Sequence, residues 1–213
     1  MSLDIFSLSP SSGQSPSHLM IFLHGWGADA NDLAPLASIL DLPNYQFLFP
    51  NAPFPHPQVP SGRAWYALEN SSYQGLNESK EMLVSWLLSL EAQTGVSLDK
   101  TVLFGFSQGG AMTLDVGLSL PLAGLCSLSG YLHVTPEVTA TPIPPVFIAH
   151  GRQDQVVPIA AAQQARDVLT ALGVTVDYHE FNMGHEIPLP VLAELRQFLL
   201  KLSSPISNKN VFD

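Results

Sequence analysis

What this chain of 213 residues has little of is the first guide to it. It carries one cysteine, Cys126, so no intramolecular disulfide can form, and the composition fits a reducing compartment. Within the apolar run LAGLCSLSG, Cys126 reads as a small buried side chain of a core strand. Charged residues make up only 12% of the chain, and 8 Lys and Arg stand against 18 Asp and Glu, for a formal net charge of −10. So few scattered cations form no stripe that would track a phosphate backbone, which argues against nucleic acid as a partner. The acidity serves solubility instead. No window approaches the ~18 uninterrupted apolar residues of a membrane-spanning helix. The opening stretch MSLDIFSLSPSSG lacks a basic n-region and a long apolar h-region, so no signal peptide is expected and the expected location is cytoplasmic. There is no internal repeat.

Against these shortages, hydrophobic residues reach 46%, enough for a sizeable core, and the length favours a single domain over residues 1–213. Short apolar runs alternate with longer segments of helical spacing. Strands are expected at 19–23, 45–50, 101–106, 122–129, 145–150 and 174–181. Helices are expected at 31–42 with Asn31 as cap, at 77–94 stopped by Gly95, after Ser107, at 158–173, and from near Pro188 to 202. This alternation implies βαβ units and a mostly parallel sheet with helices on both faces, because only strands buried on both sides are apolar throughout. Residues 3–8 would add an antiparallel edge strand, and 203–213 would form a polar tail. Residues 51–75 break the pattern. They are rich in proline and aromatics, including Phe54, Trp65, Tyr66 and Tyr73, and have no period. A long irregular loop in a compact domain is usually functional, so this one is expected to wall a substrate cleft.

The chemistry is concentrated in TVLFGFSQGGAMTL, residues 101–114. Here GFSQG matches G-x-S-x-G, the turn that lifts a nucleophilic serine above a sheet. Turning from strand to helix on Ser107 brings the positions two residues to either side so close that only glycine fits. The amide of Gln108 then points where an oxyanion would form, helped by the positive end of the helix. The pattern is short and gains its weight from lying between a strand and a helix. A serine nucleophile needs a base, and the base needs an orienting acid, in the chain order Ser, Asp, His. Asp154, past the strand ending at His150, and His185, past the strand ending near Phe181, satisfy that order. Both lie at the sheet edge where Ser107 sits and where open α/β sheets build their sites. Among the seven histidines, His18 and His56 precede the serine in turn-rich segments, His179 lies within a strand, and His133 and His150 come before the acid. Asp167 and Asp177, on a helix and a strand, are the less suitable acids. A second oxyanion donor is expected from FLHGWGAD, where Gly25 and Gly27 free the backbone to turn the Trp26 amide inward. His24 is assigned structural work in that loop.

Together, LHGWGAD, GFSQGGAM, HGRQDQVVP and MGHE resemble the phospholipase/carboxylesterase family, which includes acyl-protein thioesterases and bacterial carboxylesterases. The resemblance runs from about residue 19 to residue 202. It implies an α/β-hydrolase fold without a large cap domain. It implies Ser107 as nucleophile, Asp154 as acid and His185 as base, with Trp26 and Gln108 as the oxyanion donors. Trp26 stands where leucine is common in that family, which would narrow the cleft. Trp26, Phe54, Trp65, Tyr66 and Met183 are the candidate substrate-binding side chains. The expected function is hydrolysis of short to medium acyl esters, the alternative being an acyl-protein thioesterase or lysophospholipase with a long acyl chain. No metal or cofactor is called for. A homodimer is one use for an apolar surface near the cleft.

Overall fold

The computed structural model describes residues 3–68 and 72–203. Its centre is a seven-stranded sheet of β1 (Ile5–Leu8), β2 (His18–Leu23), β3 (Tyr45–Pro50), β6 (Thr101–Phe106), β7 (Gly124–Leu128), β8 (Val146–Gly151) and β9 (Val176–Phe181), ordered β1-β3-β2-β6-β7-β8-β9. From β3 to β9 every pairing is parallel, and β1 adds an antiparallel edge along β3, Ile5 opposite Pro50. The chain leaves β2 toward β3 and returns on the other side to β6. The sheet therefore has its switch point between the ends of β2 and β6, where open sheets leave a crevice.

Alternation along the strands sorts the core into two layers. Leu19, Ile21, Leu23, Leu103, Leu125, Val146 and Ile148 face α2 (Leu76–Thr94), α3 (Gln108–Gly117) and α4 (Ile159–Ala171). Met20, Phe22, Val102, Phe104, Cys126, Phe147 and Ala149 face α1 (Pro35–Leu40) and α5 (Leu189–Ser203). The central strands are apolar throughout because both faces are covered. Cys126 is fully buried, which pushes its thiol pKa up and leaves it inert.

Two expectations shift. Asn31 caps nothing: residues 31–34 form turns, and α1 starts at Pro35, whose missing amide suits a first turn, and ends at Asp41, in the left-handed region at φ 48°. Loop 51–75 holds a small hairpin of β4 (Phe54–Pro55) and β5 (Arg63–Ala64), with strands too short to show a period. The polar tail, beyond Ser203 at the end of α5, lies outside the described residues. Among those residues no helix is long and apolar enough to cross a membrane.

Candidate active site

Ser107 sits between β6 and α3 at φ 56°, ψ −118°, a conformation costly for a non-glycine residue. Three features hold it there. The Ser107 amide donates to Leu128 O at 2.8 Å, and its carbonyl accepts from Ala111 N at 3.1 Å. The glycines on either side allow the close approach. A Cβ at Gly105 would fall 2.0 Å from Gly109 O, and one at Gly109 would fall 2.0 Å from Leu23 O. No other residue type fits either position, so the sharp turn and the packing of α3 on β2 are one constraint.

The other two groups arrive on neighbouring loops. A Cβ at Gly151 would strike the carbonyls of Met183 and Gly184, each at 2.4 Å, so the loop after β8 rests directly on the loop after β9. The amides of Arg152 and Gln153 donate across to Phe181 O and Met183 O at 2.8 and 3.1 Å. The result is a hydrogen-bonded row. His185 Nε2 lies 2.9 Å from Ser107 Oγ, and His185 Nδ1 lies 2.7 Å from Asp154 Oδ2. The Phe106 ring packs 4.7 Å from the imidazole. Asp154 Oδ1 accepts from the amides of Val156 and Val157, both at 2.9 Å. Burial pushes the Asp154 carboxyl pKa up, but the bond from His185 and the two amides outweigh it and hold the group below its ordinary value. Asp154 is therefore ionised at neutral pH.

On the β2 side, His24 Nδ1–H donates to Gly25 O at 2.8 Å, and its Nε2 accepts from Ala52 N at 3.1 Å. Burial lowers its pKa, so it is a neutral strut inside the loop, the structural work expected of it. The hairpin grips the same loop: Gly27 N donates to Arg63 O at 3.0 Å and Arg63 N to Ala28 O at 2.8 Å. The Gln108 side chain, unremarked in the sequence, accepts from Trp65 N at 2.9 Å and donates to Tyr66 O at 2.9 Å, tying the wall to the elbow.

Beside the Trp26 loop lies a cavity of about 290 Å³. Trp26, Phe54 and Tyr66 line it, with Gln74 and Glu78 as its most polar walls. Trp65 and Met183, the other two candidate binding residues, do not. Trp65 is fully buried in the core, its indole N–H satisfied by His24 O at 3.0 Å, and Met183 is packed into the α1/α5 layer. The rival groups are engaged elsewhere. Asp167 pairs with Arg166, Asp177 with His179, and His133 with Asp115 at 2.7 Å inside a ring of Tyr66, Tyr73 and Tyr131. Among the described residues no group of His, Cys, Asp and Glu is placed to hold a metal ion.

A parallel sheet that brings serine, imidazole and carboxylate into one row at its switch point defines a class, the serine hydrolases of α/β-hydrolase fold. More narrowly, the chain belongs to the phospholipase/carboxylesterase family, whose profile matches residues 9–203. It is 28% identical to acyl-protein thioesterase 1 of Neurospora crassa, over 90% of this chain and 89% of that one. It is 31% identical to acyl-protein thioesterase 1 of Eremothecium gossypii, over 74% of this chain and 75% of that one. Among solved structures it resembles esterase PE8, with a TM-score of 0.86 and 32% identity, over 95% of this chain and all of that one.

Proposed function

We propose that this protein is a single-domain carboxylesterase acting on short to medium acyl esters through Ser107, His185 and Asp154. The observation that carries the reading is the row from Ser107 Oγ to His185 Nε2 at 2.9 Å and from His185 Nδ1 to Asp154 Oδ2 at 2.7 Å. His185 Nε2 takes the hydroxyl proton as Ser107 Oγ attacks the ester carbonyl. Asp154 holds the ring and stabilises the imidazolium. The tetrahedral oxyanion lies between the amides of Trp26 and Gln108, at the N-terminus of α3. His185 then protonates the departing alcohol, and water, activated by the same ring, frees the acid and restores Ser107. The cavity beside Trp26 takes the acyl group. Its 290 Å³ falls just under the roughly 300–1,000 Å³ range of ligand pockets, which supports a small acyl chain.

The fungal relatives named acyl-protein thioesterase favour a second reading, a thioester substrate with a longer chain. The attacking and stabilising groups would be the same, and only the pocket separates the two. The buried single cysteine supports a cytoplasmic setting. Exposed Val156 and Leu189, near Asp154 and His185 in the chain, support pairing of two copies at the cleft rim, with sedimentation at twice the 23.0 kDa chain mass as the expected result.

The deciding experiment is hydrolysis of p-nitrophenyl esters of increasing chain length, with matched thioesters and Ser107→Ala alongside. The expected result is a maximum at short chains, reduced by about 10⁴-fold or more in the variant. Full activity in Ser107→Ala would end the catalytic reading. A maximum at long chains with preference for thioesters would select the second.

A further inference from the structure

A second histidine stands behind the acid. His150, near the end of β8, is fully buried. Its Nε2 lies 2.8 Å from Val157 O and 3.4 Å from Asp154 Oδ2. Its Nδ1 has no hydrogen-bond partner among the described residues. A carbonyl only accepts, so Nε2 carries the proton and Nδ1 the lone pair. A second proton on Nδ1 would be buried without an acceptor.

We propose that His150 is a positioning residue of the reaction, whose Nε2–H clasps Val157 O and so holds the turn that aims Asp154 at His185. The turn from Gly151 to Val157 docks on the loop after β9 through the Arg152 and Gln153 amides, and its far end holds the carboxylate. The Val156 and Val157 amides grip one carboxylate oxygen, leaving the other for His185. The bond to Val157 O joins the end of that turn to the strand where it begins. The 3.4 Å approach to Oδ2 is too long for a strong bond, so Oδ2 stays committed to the catalytic imidazole. The charged and titratable groups around His150 are Asp154, His185 and Glu180. Burial lowers the His150 pKa against the pull of the Val157 carbonyl and Asp154, so the clasp stays a neutral donor as the pH falls. The inference rests on the triad reading above.

The test contrasts two amides. In His150→Gln the side-chain N–H reaches where imidazole Nε2 stands, whereas in His150→Asn it stops short and leaves Val157 O without a donor. Each is assayed for kcat, KM and the pH profile of kcat/KM on a p-nitrophenyl ester, beside wild type and Ser107→Ala. The Asn variant should lose about tenfold or more in kcat, with KM within about twofold, because a carboxylate off its mark misplaces the base. Its acid limb should move about half a pH unit lower, since the imidazolium loses part of its counter-charge. The Gln variant should recover most of both. Equal kcat and unmoved limbs in the two variants, with Ser107→Ala inactive, overturn the role of His150 alone. An active Ser107→Ala overturns the triad beneath it. Should the Asn variant not fold, nitrogen-detected NMR of the wild-type histidines decides. A His150 ring neutral and protonated on Nε2 from about pH 5 to about pH 9 upholds the clasp, and an Nδ1-protonated or titrating ring refutes it.

Discussion

The two sides of the cleft are held by different means. Around Ser107, Asp154 and His185 backbone meets backbone: Gly105 against Gly109, Gly109 against Leu23, and Gly151 against Met183 and Gly184. Across the cleft, the wall adds to its backbone contacts, such as Gly62 against Gly27 and the two bonds between Arg63 and the Trp26 loop, a set of side chains that reach for backbone. The Arg63 guanidinium donates to Ala52 O and Pro53 O, both at 2.8 Å, Gln108 bridges Trp65 and Tyr66, and Ser79 Oγ donates to Trp65 O. Contacts between backbones admit no larger residue. Bonds from side chains can be exchanged for others of similar reach. The difference teaches that Ser107, Asp154 and His185 rest on backbone contacts that admit no larger residue, whereas the wall around the Trp26 cavity relies in addition on side-chain bonds that can be exchanged.

The strongest way to break this comparison is Gly109→Ala. Its Cβ would sit 2.0 Å from Leu23 O, at the end of β2, and 2.7 Å from His24 O, which holds the Trp65 indole, so neither can move without disturbing the sheet end or the buried tryptophan. A loss of about 3 kcal/mol or more is expected, read as a fall of roughly 10 °C in Tm. An unchanged melting curve would mean that the catalytic side gives as readily as the wall.

A milder lever is pH, which acts on both sides through buried histidines, His24 in the wall-side loop and His150 behind the acid. Both have pKa values lowered from 6.5, chiefly by burial. Below pH 6.5 the unfolded chain therefore binds protons that the folded protein refuses, and stability falls with pH by up to about 1.4 kcal/mol per unit for each ring. Asp154 adds a second window. Its lowered folded pKa contributes stability above 3.8 that is lost as the pH drops through the folded value. Thermal melts from neutral to acid pH should show Tm declining below about 6.5. A flat Tm down to about pH 5 would show the two rings to be solvated.

The smallest effect sharpens the comparison from the wall side. Phe54 packs on Gly75, whose Cβ would fall 2.5 Å from its ring. Phe54→Ala should open the cavity, shift the ester preference toward longer chains by about tenfold in relative kcat/KM, and leave Tm nearly unchanged. A changed Tm with an unchanged chain-length profile would make Phe54 part of the frame rather than of the pocket.

Much of the catalytic side is legible in the sequence, because its constraints are local or alternate with period two. GFSQG states its own geometry, and strands such as TVLFGF announce burial on both faces. Chain order together with loop placement points to Asp154 and His185: order sets aside His133 and His150, while Asp167, Asp177 and His179 fall on a helix or in strands. His150 is the exception. Its spacing from Asp154 is plain in HGRQD, but that its ring faces inward to Val157 follows only from the turn. The wall resisted reading for the opposite reason. Phe54, Trp65 and Tyr66 are equally aromatic, yet Phe54 stays half-buried on the cavity, Tyr66 is fully buried with its side turned to it, and Trp65 is fully buried away from it with its indole bonded to the His24 carbonyl. Met183 is likewise taken by the core.

What the sequence determined by itself is therefore the layered fold, the elbow and which serine, aspartate and histidine stand in the row. Glycine spacing, apolar alternation and chain order are properties of the covalent chain. What only the tertiary structure decided is distance and partnership: a 2.9 Å approach of His185 to Ser107 across 78 residues, a histidine clasped behind the acid, and which aromatic rings reach the cavity. Those depend on loops brought together from separate strands, where a side chain's role is set by the neighbour that captures its polar atoms.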